Sequence, residues 1–182
     1  MPATSATSTS LRETETPLSL LYPDLDSEFA ITRRILERVP DGKDDWRPHE
    51  KSMMIGGLAT HIAQLPWFGV MIATRDEMDL MKERPPAVTI RNNAERLQLF
   101  DEASSKLKAT LEKLTWDDVA KVWTFRMGDK VIIQSTRAIL LRGMVLTHTT
   151  HHRAQLGVFL RLLGIPIPGS YGPSADEPMG AN

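Results

Sequence analysis

Residues 141–163 restrict the possible folds more than any other part of the chain. Leu141, Val145, His148, His152, Gln155, Phe159 and Leu162 recur in steps of four and three, the repeat that keeps one stripe of an α-helix turned toward its neighbours. The stripe is apolar at both ends and polar in the middle. His148 and His152 stand four residues apart, so their imidazoles lie on one face, about one turn apart along the axis. That spacing lets both rings reach one metal ion.

Two histidines do not complete a site, because a catalytic zinc-type centre takes three protein ligands and keeps one position open. The HExxH pattern is excluded, since Thr149 stands where the glutamate is needed. His61 is the candidate third ligand, because it too interrupts an apolar stripe, formed by Met54, Leu58, Leu65, Phe68 and Ile72. Two helices facing each other through these seams would bring three imidazoles together inside a bundle. Burying three polar rings in one small volume is costly unless a common partner satisfies them, and the alternative to a metal is a water-filled polar cavity. A gap of more than about 8 Å between the ring of His61 and the other pair would rule out shared coordination at roughly 2 Å per bond.

The chain has 182 residues and a formal net charge of −1, which predicts one domain and gives no electrostatic reason to expect nucleic acid or an anionic membrane as a partner. Its N-terminus is rich in Ser, Thr and Ala, without the basic start and apolar centre of a secretory signal, and no run of about 18 apolar residues is read in the chain, so neither a secretory signal nor a membrane span is expected. A cytoplasmic protein is expected. Cysteine is absent, so any thiol in the chemistry comes from outside, and a metal must be held by imidazole or carboxylate.

Residues 1–17 read as a disordered polar leader, and 18–182 as a single domain. Leu25, Phe29, Thr32, Leu36 and Val39 give a first helix over 25–39, capped by Asp24 or Asp26. A polar loop follows, in which Trp46 is expected to lid one end of the core and His49 to be structural. A second helix is predicted over 52–75, with Ser52 as cap and Pro66 bending it just past His61; the bend either widens the bundle beside the histidines or is a tolerated kink. After Pro85-Pro86, the seam Asn93, Leu97, Phe100, Ser104, Leu107, Leu111 and Leu114 predicts a third helix over 89–114. Thr115 and Asp118 resemble a capping box, and two β-favouring runs around 126–130 predict a small hairpin inserted before the last helix. That helix opens at Ser135 or Thr136 and runs to Leu163, where Gly164 and two prolines end it. The expected class is all-α, a four-helix bundle with shallow crossings.

Other side chains are candidates for work beside the ligands. His151 lies about 100° around the helix from His152 and stands behind the ligands, at an interface, or exposed. Arg153 and Gln155 could hold ligand rings or a substrate, although an ion pair with Glu28 or Asp101 is the preferred reading for Arg153. Tyr171 and Asp176 are the residues with chemical potential in the C-terminal loop, and Met53, Met54, Met71 and Met144 are taken as core filling. A divalent ion with an open position lowers the pKa of bound water or takes a thiol as thiolate. Hydrolysis would need a carboxylate base, which the two seams lack, leaving only Asp176; this favours thiol activation.

Trp46-Arg47-Pro48-His49 with Lys51-Ser52, then Leu58-Ala59-Thr60-His61-Ile62-Ala63, then His148-Thr149-Thr150-His151-His152-Arg153-Ala154-Gln155-Leu156, followed by Leu163-Gly164-Ile165-Pro166 and Tyr171-Gly172, together resemble the DinB/YfiT-like metalloenzyme family. This is the damage-inducible helical family, not the similarly named translesion polymerase. The resemblance spans about residues 20–177. It implies an up-down-down-up bundle, commonly a homodimer, holding nickel or zinc on His61, His148 and His152. Relatives include S-transferases and an isomerase that use thiols such as bacillithiol and mycothiol, and a possible metal-dependent hydrolase. A small-molecule substrate and a low-molecular-weight thiol cosubstrate are therefore implied, in a setting of stress or detoxification.

Overall fold

The computed structural model describes residues 15–83 and 88–178. Pro85, Pro86 and residues 1–14 of the expected leader lie outside the described residues. Residues 15–17 already lead into a short helix, α1 (Pro17–Leu21), which Thr16 opens through a reciprocal capping box with Ser19 while Pro17 takes the first turn. The signal lay inside a stretch whose low complexity hid it.

The first seam faces inward as expected: α2 (Leu25–Leu36) buries Leu25, Phe29, Thr32 and Leu36, and Val39 is buried just beyond its end. Asp24 stands at its N-cap but makes no capping bond; its carboxylate accepts from Arg142 at 2.6 Å. Helix α3 (Ile55–Thr74) begins three residues later than Ser52 suggested. Its first amides need no side-chain cap, because Ile55 N–H donates to the Trp46 carbonyl at 2.8 Å and Gly56 N–H to that of Asp44 at 3.1 Å. A Cβ on Gly56 would come within 2.2 Å of the Asp44 carboxylate, so the loop can dock there only against glycine. The late start leaves Met53 and Met54 exposed rather than in the core, whereas Met71 and Met144 do pack against it. Trp46 packs edge-on against Phe159, ring centroids 5.8 Å apart.

Next comes a strand with no counterpart in the sequence reading. β1 (Glu77–Asp79) runs parallel to β2 (Val122–Met127), which in turn pairs antiparallel with β3 (Lys130–Thr136). The sheet is thus mixed, in the order β1-β2-β3. Phe68 of α3 meets Trp123 and Phe125 of β2 edge-on at 5.7 and 5.9 Å, which seats the sheet on the second half of that helix. Between β1 and β2 lie α4 (Asn93–Leu111), capped by Asn92 rather than starting at 89, and α5 (Trp116–Ala120), opened by the expected Thr115–Asp118 capping box.

β3 claims Ser135 and Thr136, so the last helix begins one residue on, as α6 (Arg137–Leu141). A π-helical segment (Arg142–Thr147) follows, then α7 (His148–Leu162), which ends at Gly164 with φ +73°. The four long helices touch in a ring, α2 meeting α4 and α7, and α3 meeting the same two. Directions follow from named contacts. Asn93 bonds to Leu36 and Lys108 to Asp26, so α2 and α4 are antiparallel. Arg142 reaches Asp24 and Arg153 reaches Glu28, so α7 runs along α2. Arg96 bonds Thr60 near the starts of α4 and α3, and Gly69 abuts Leu107 near their ends, so those two are parallel.

By length and composition α3 is apolar enough to cross a membrane, against the expectation that no such run exists, but most of it is buried within the fold, as in a core helix. On α7 the hydroxyl of Thr149 is buried without a hydrogen-bond partner. Thr149→Val should therefore raise stability by about 1 kcal/mol, read as a higher urea midpoint at unchanged slope; a loss would mean that the hydroxyl is satisfied by water.

Candidate metal centre

The register of the last helix decides where its histidines point. Arg137, Leu141, Val145, Thr149 and Arg153 are all buried, four successive steps of four that an α-helix of 3.6 residues per turn cannot keep on one face. The wider winding of the π segment absorbs the excess. Beyond it the core row continues through Leu156 and Leu160, while His148, His152 and Phe159 lie beside it, half-buried, and Gln155 and Leu162 are exposed. The unbroken stripe read from 141 to 162 is therefore two rows joined by a change of winding.

This displacement brings the histidines to the edge of the core, where an incoming molecule can reach them. His61, on α3, has its ring centroid 5.1 Å from that of His148 and 4.8 Å from that of His152, and the latter two are 4.6 Å apart. One ligand atom from each lies within 4.8 Å of the others. The distance that would have excluded shared coordination is not approached.

Two interactions prepare the rings. Nδ1 of His152 lies 2.8 Å from Oε1 of Gln155, and since an amide oxygen only accepts, Nδ1 carries the hydrogen and the lone pair of a neutral ring is left on Nε2. That Nε2 faces Nε2 of His148 at 2.8 Å. Burial, helped by the neighbouring His152 and His148, pushes His61 from the usual 6.5 down to about 4. His148 is also lowered, chiefly by burial and then by His152, against a hydrogen bond to the Met144 backbone. Three imidazoles, each offering one nitrogen to a common point, are a donor set that suits a zinc- or nickel-type ion, and the residues fit it.

The same shift sets a pH dependence. The unfolded chain takes up the His61 proton near pH 6.5 and the folded protein only near pH 4, so the unfolded state binds more protons in that window and stability falls as pH falls through it. Urea midpoints of metal-free protein should drop between about pH 7 and about pH 4.5, and the drop should be smaller in His61→Ala. An equal drop in the variant would mean that other groups carry it.

The remaining candidates separate. His151 is exposed, its ring 4.9 Å from that of His152. His49 is in the loop, where its Nδ1 accepts from Lys51 N–H. Arg153 is 3% exposed and makes the expected ion pair with Glu28 at 2.9 Å, whereas Asp101 pairs with Arg33. It also donates to Thr32 and to the Tyr171 hydroxyl, which itself donates to Glu28. Arg153 and Tyr171 thus belong to a network between α2 and α7, not to the histidines. Asp176 is bound to Arg161 at 2.6 Å and accepts from Ile167 N–H, so its carboxylate is engaged by the last turn of α7 and the segment that follows it. It is not one of the groups that converge with the three histidines. Sequence reasoning missed Arg96, 2% exposed, which bonds Thr60, Asn93 and Asp44 and so fixes α3 one residue before His61. The seam reading took its neighbour Leu97 instead, because an arginine is discounted as a core residue.

Known proteins agree with this frame. The chain matches the model of the DinB family over residues 12–180. A DinB-like protein from Bacillus subtilis superposes with a TM-score of 0.62 at 20% identity, covering 81% of this chain and 96% of that one. A DinB-like protein from Bacillus cereus gives 0.62 at 16% identity, covering 83% and 95%. At these identities the likeness is one of fold. The comparison with curated proteins gives no match. With the family model running over nearly the whole chain, three histidines included, the protein belongs to the DinB family.

Proposed function

We propose that the protein is a metal-dependent enzyme of S-transferase type, which activates a low-molecular-weight thiol, or less readily water, for attack on a small electrophile. The observation that carries this reading is the convergence of His61, His148 and His152 with no carboxylate joining the group among the described residues. When bound, a nickel or zinc ion lowers the pKa of a thiol or water at its open position. The histidines hold that ion from two helices, and Gln155 keeps the His152 ring turned toward it. Because Asp176 is engaged by Arg161 and Ile167, hydrolysis lacks a general base, and a thiol needs none.

The helix directions support an up-down-down-up four-helix bundle as the frame. A homodimer in the cytoplasm, acting on a small molecule without nucleic acid or membrane as partner, completes the proposal. Elemental analysis of protein purified without an affinity tag, followed by incubation of the metal-loaded protein with bacillithiol, mycothiol and a chlorinated or epoxide electrophile, tests it. Thioether formation that disappears with the metal is expected. Stoichiometric metal with no consumption of any thiol, alongside firm binding of a protein partner, would instead favour a non-catalytic metal-binding or interaction protein of the stress response.

A further inference from the structure

A second concavity lies on the far side of α7. It is an open groove that offers about 430 Å³, within the range of small-molecule sites. Ala154, Gly157 and Val158 form its floor, with Ile35 of α2 and Ile167 of the C-terminal segment as walls. Gly157 lies nine residues beyond His148, about 180° around the helix, so a molecule seated there does not touch the imidazoles.

Glycine is a poor choice in a helix interior. At Gly157 a Cβ would meet nothing within 4 Å, so no packing contact asks for its absence. What the missing side chain does is deepen the concavity. The guanidiniums that line it are already neutralised, Arg153 by Glu28 at 2.9 Å and Arg161 by Asp176 at 2.6 Å. No spare charge is left for an ionic ligand. The segment forming the outer wall is strapped down by Arg161–Asp176 and by Arg34–Glu177 at 2.6 Å.

We propose that this groove is a binding site for an uncharged, mainly apolar small molecule, seated on Ala154 and Gly157 and flanked by the C-terminal segment. The site is distinct from the three histidines and does not depend on the reading of their chemistry.

N-phenyl-1-naphthylamine, an uncharged apolar fluorophore, tests this with the full chain. Saturable fluorescence enhancement is expected, weakened at least about tenfold in Gly157→Leu, which fills the cavity, and unchanged in His148→Ala. Gly157→Ala should bind more weakly than the parent while melting at a higher temperature, and it decides the matter if the leucine variant does not fold. Non-saturable enhancement, undiminished affinity in a folded Gly157 variant, or tighter binding of the anionic 8-anilinonaphthalene-1-sulfonate would each overturn the proposal.

Discussion

Replacing His148 with alanine is expected to take the protein from about one divalent ion per chain to none that survives gel filtration, because two imidazoles on different helices do not make a closed set of ligands. His61→Ala should do the same, although it lies some 90 residues away in sequence. Gln155→Leu offers a finer measure. It keeps all three ligands but frees the His152 ring to rotate or to place its hydrogen on the wrong nitrogen, and affinity should fall by about 10- to 100-fold. Competition against a chromogenic chelator gives both results on one scale. Full metal retention in His148→Ala would dismiss the three-histidine centre, whatever the protein catalyses.

Arg153→Met should have the largest effect on stability, with no effect on metal content. The guanidinium is 3% exposed and its partner carboxylate on Glu28 11%, so removing one leaves the other charged and nearly dry. Breaking such a pair costs about 3–5 kcal/mol, which for a domain of this size lowers the melting temperature by roughly 10 °C. The double variant Glu28→Gln with Arg153→Met should recover part of that loss, since no bare charge remains. A fall of less than about 1 kcal/mol in urea unfolding would show that water reaches the pair. Unchanged metal stoichiometry in the same sample would separate this network from the histidines, which point away from it around α7.

Those two sites differ in how readily they are seen in the sequence. The histidine centre was legible because polar rings interrupting two apolar stripes have no cheap explanation; for Arg153 a carboxylate partner was expected, Glu28 or Asp101, and only the fold decides for Glu28 and shows that the pair is buried. The inner face of α2 was legible for a simpler reason: Leu25, Phe29, Thr32 and Leu36 sit on an uninterrupted α-helix. The start of α3 was not, because carbonyls of the 44–46 loop cap it and no side chain announces the boundary. Nor was β1, whose three residues become a strand only by pairing with β2, some 45 positions later. Tyr171 and Asp176 were chosen for their reactive groups alone, and their partners, Arg153 with Glu28 and Arg161, could be identified only from the fold.

Because the last helix widens over Arg142–Thr147, its two halves are geared together by chain length as well as by side-chain type. Closing that interval to ordinary winding at unchanged length would swing everything downstream by about 100°, whereas removing one residue as it closes would cancel the swing. At full length His148 and His152 would keep their spacing yet turn away from His61, so a homologue with ordinary winding throughout needs one residue fewer here to keep a working centre.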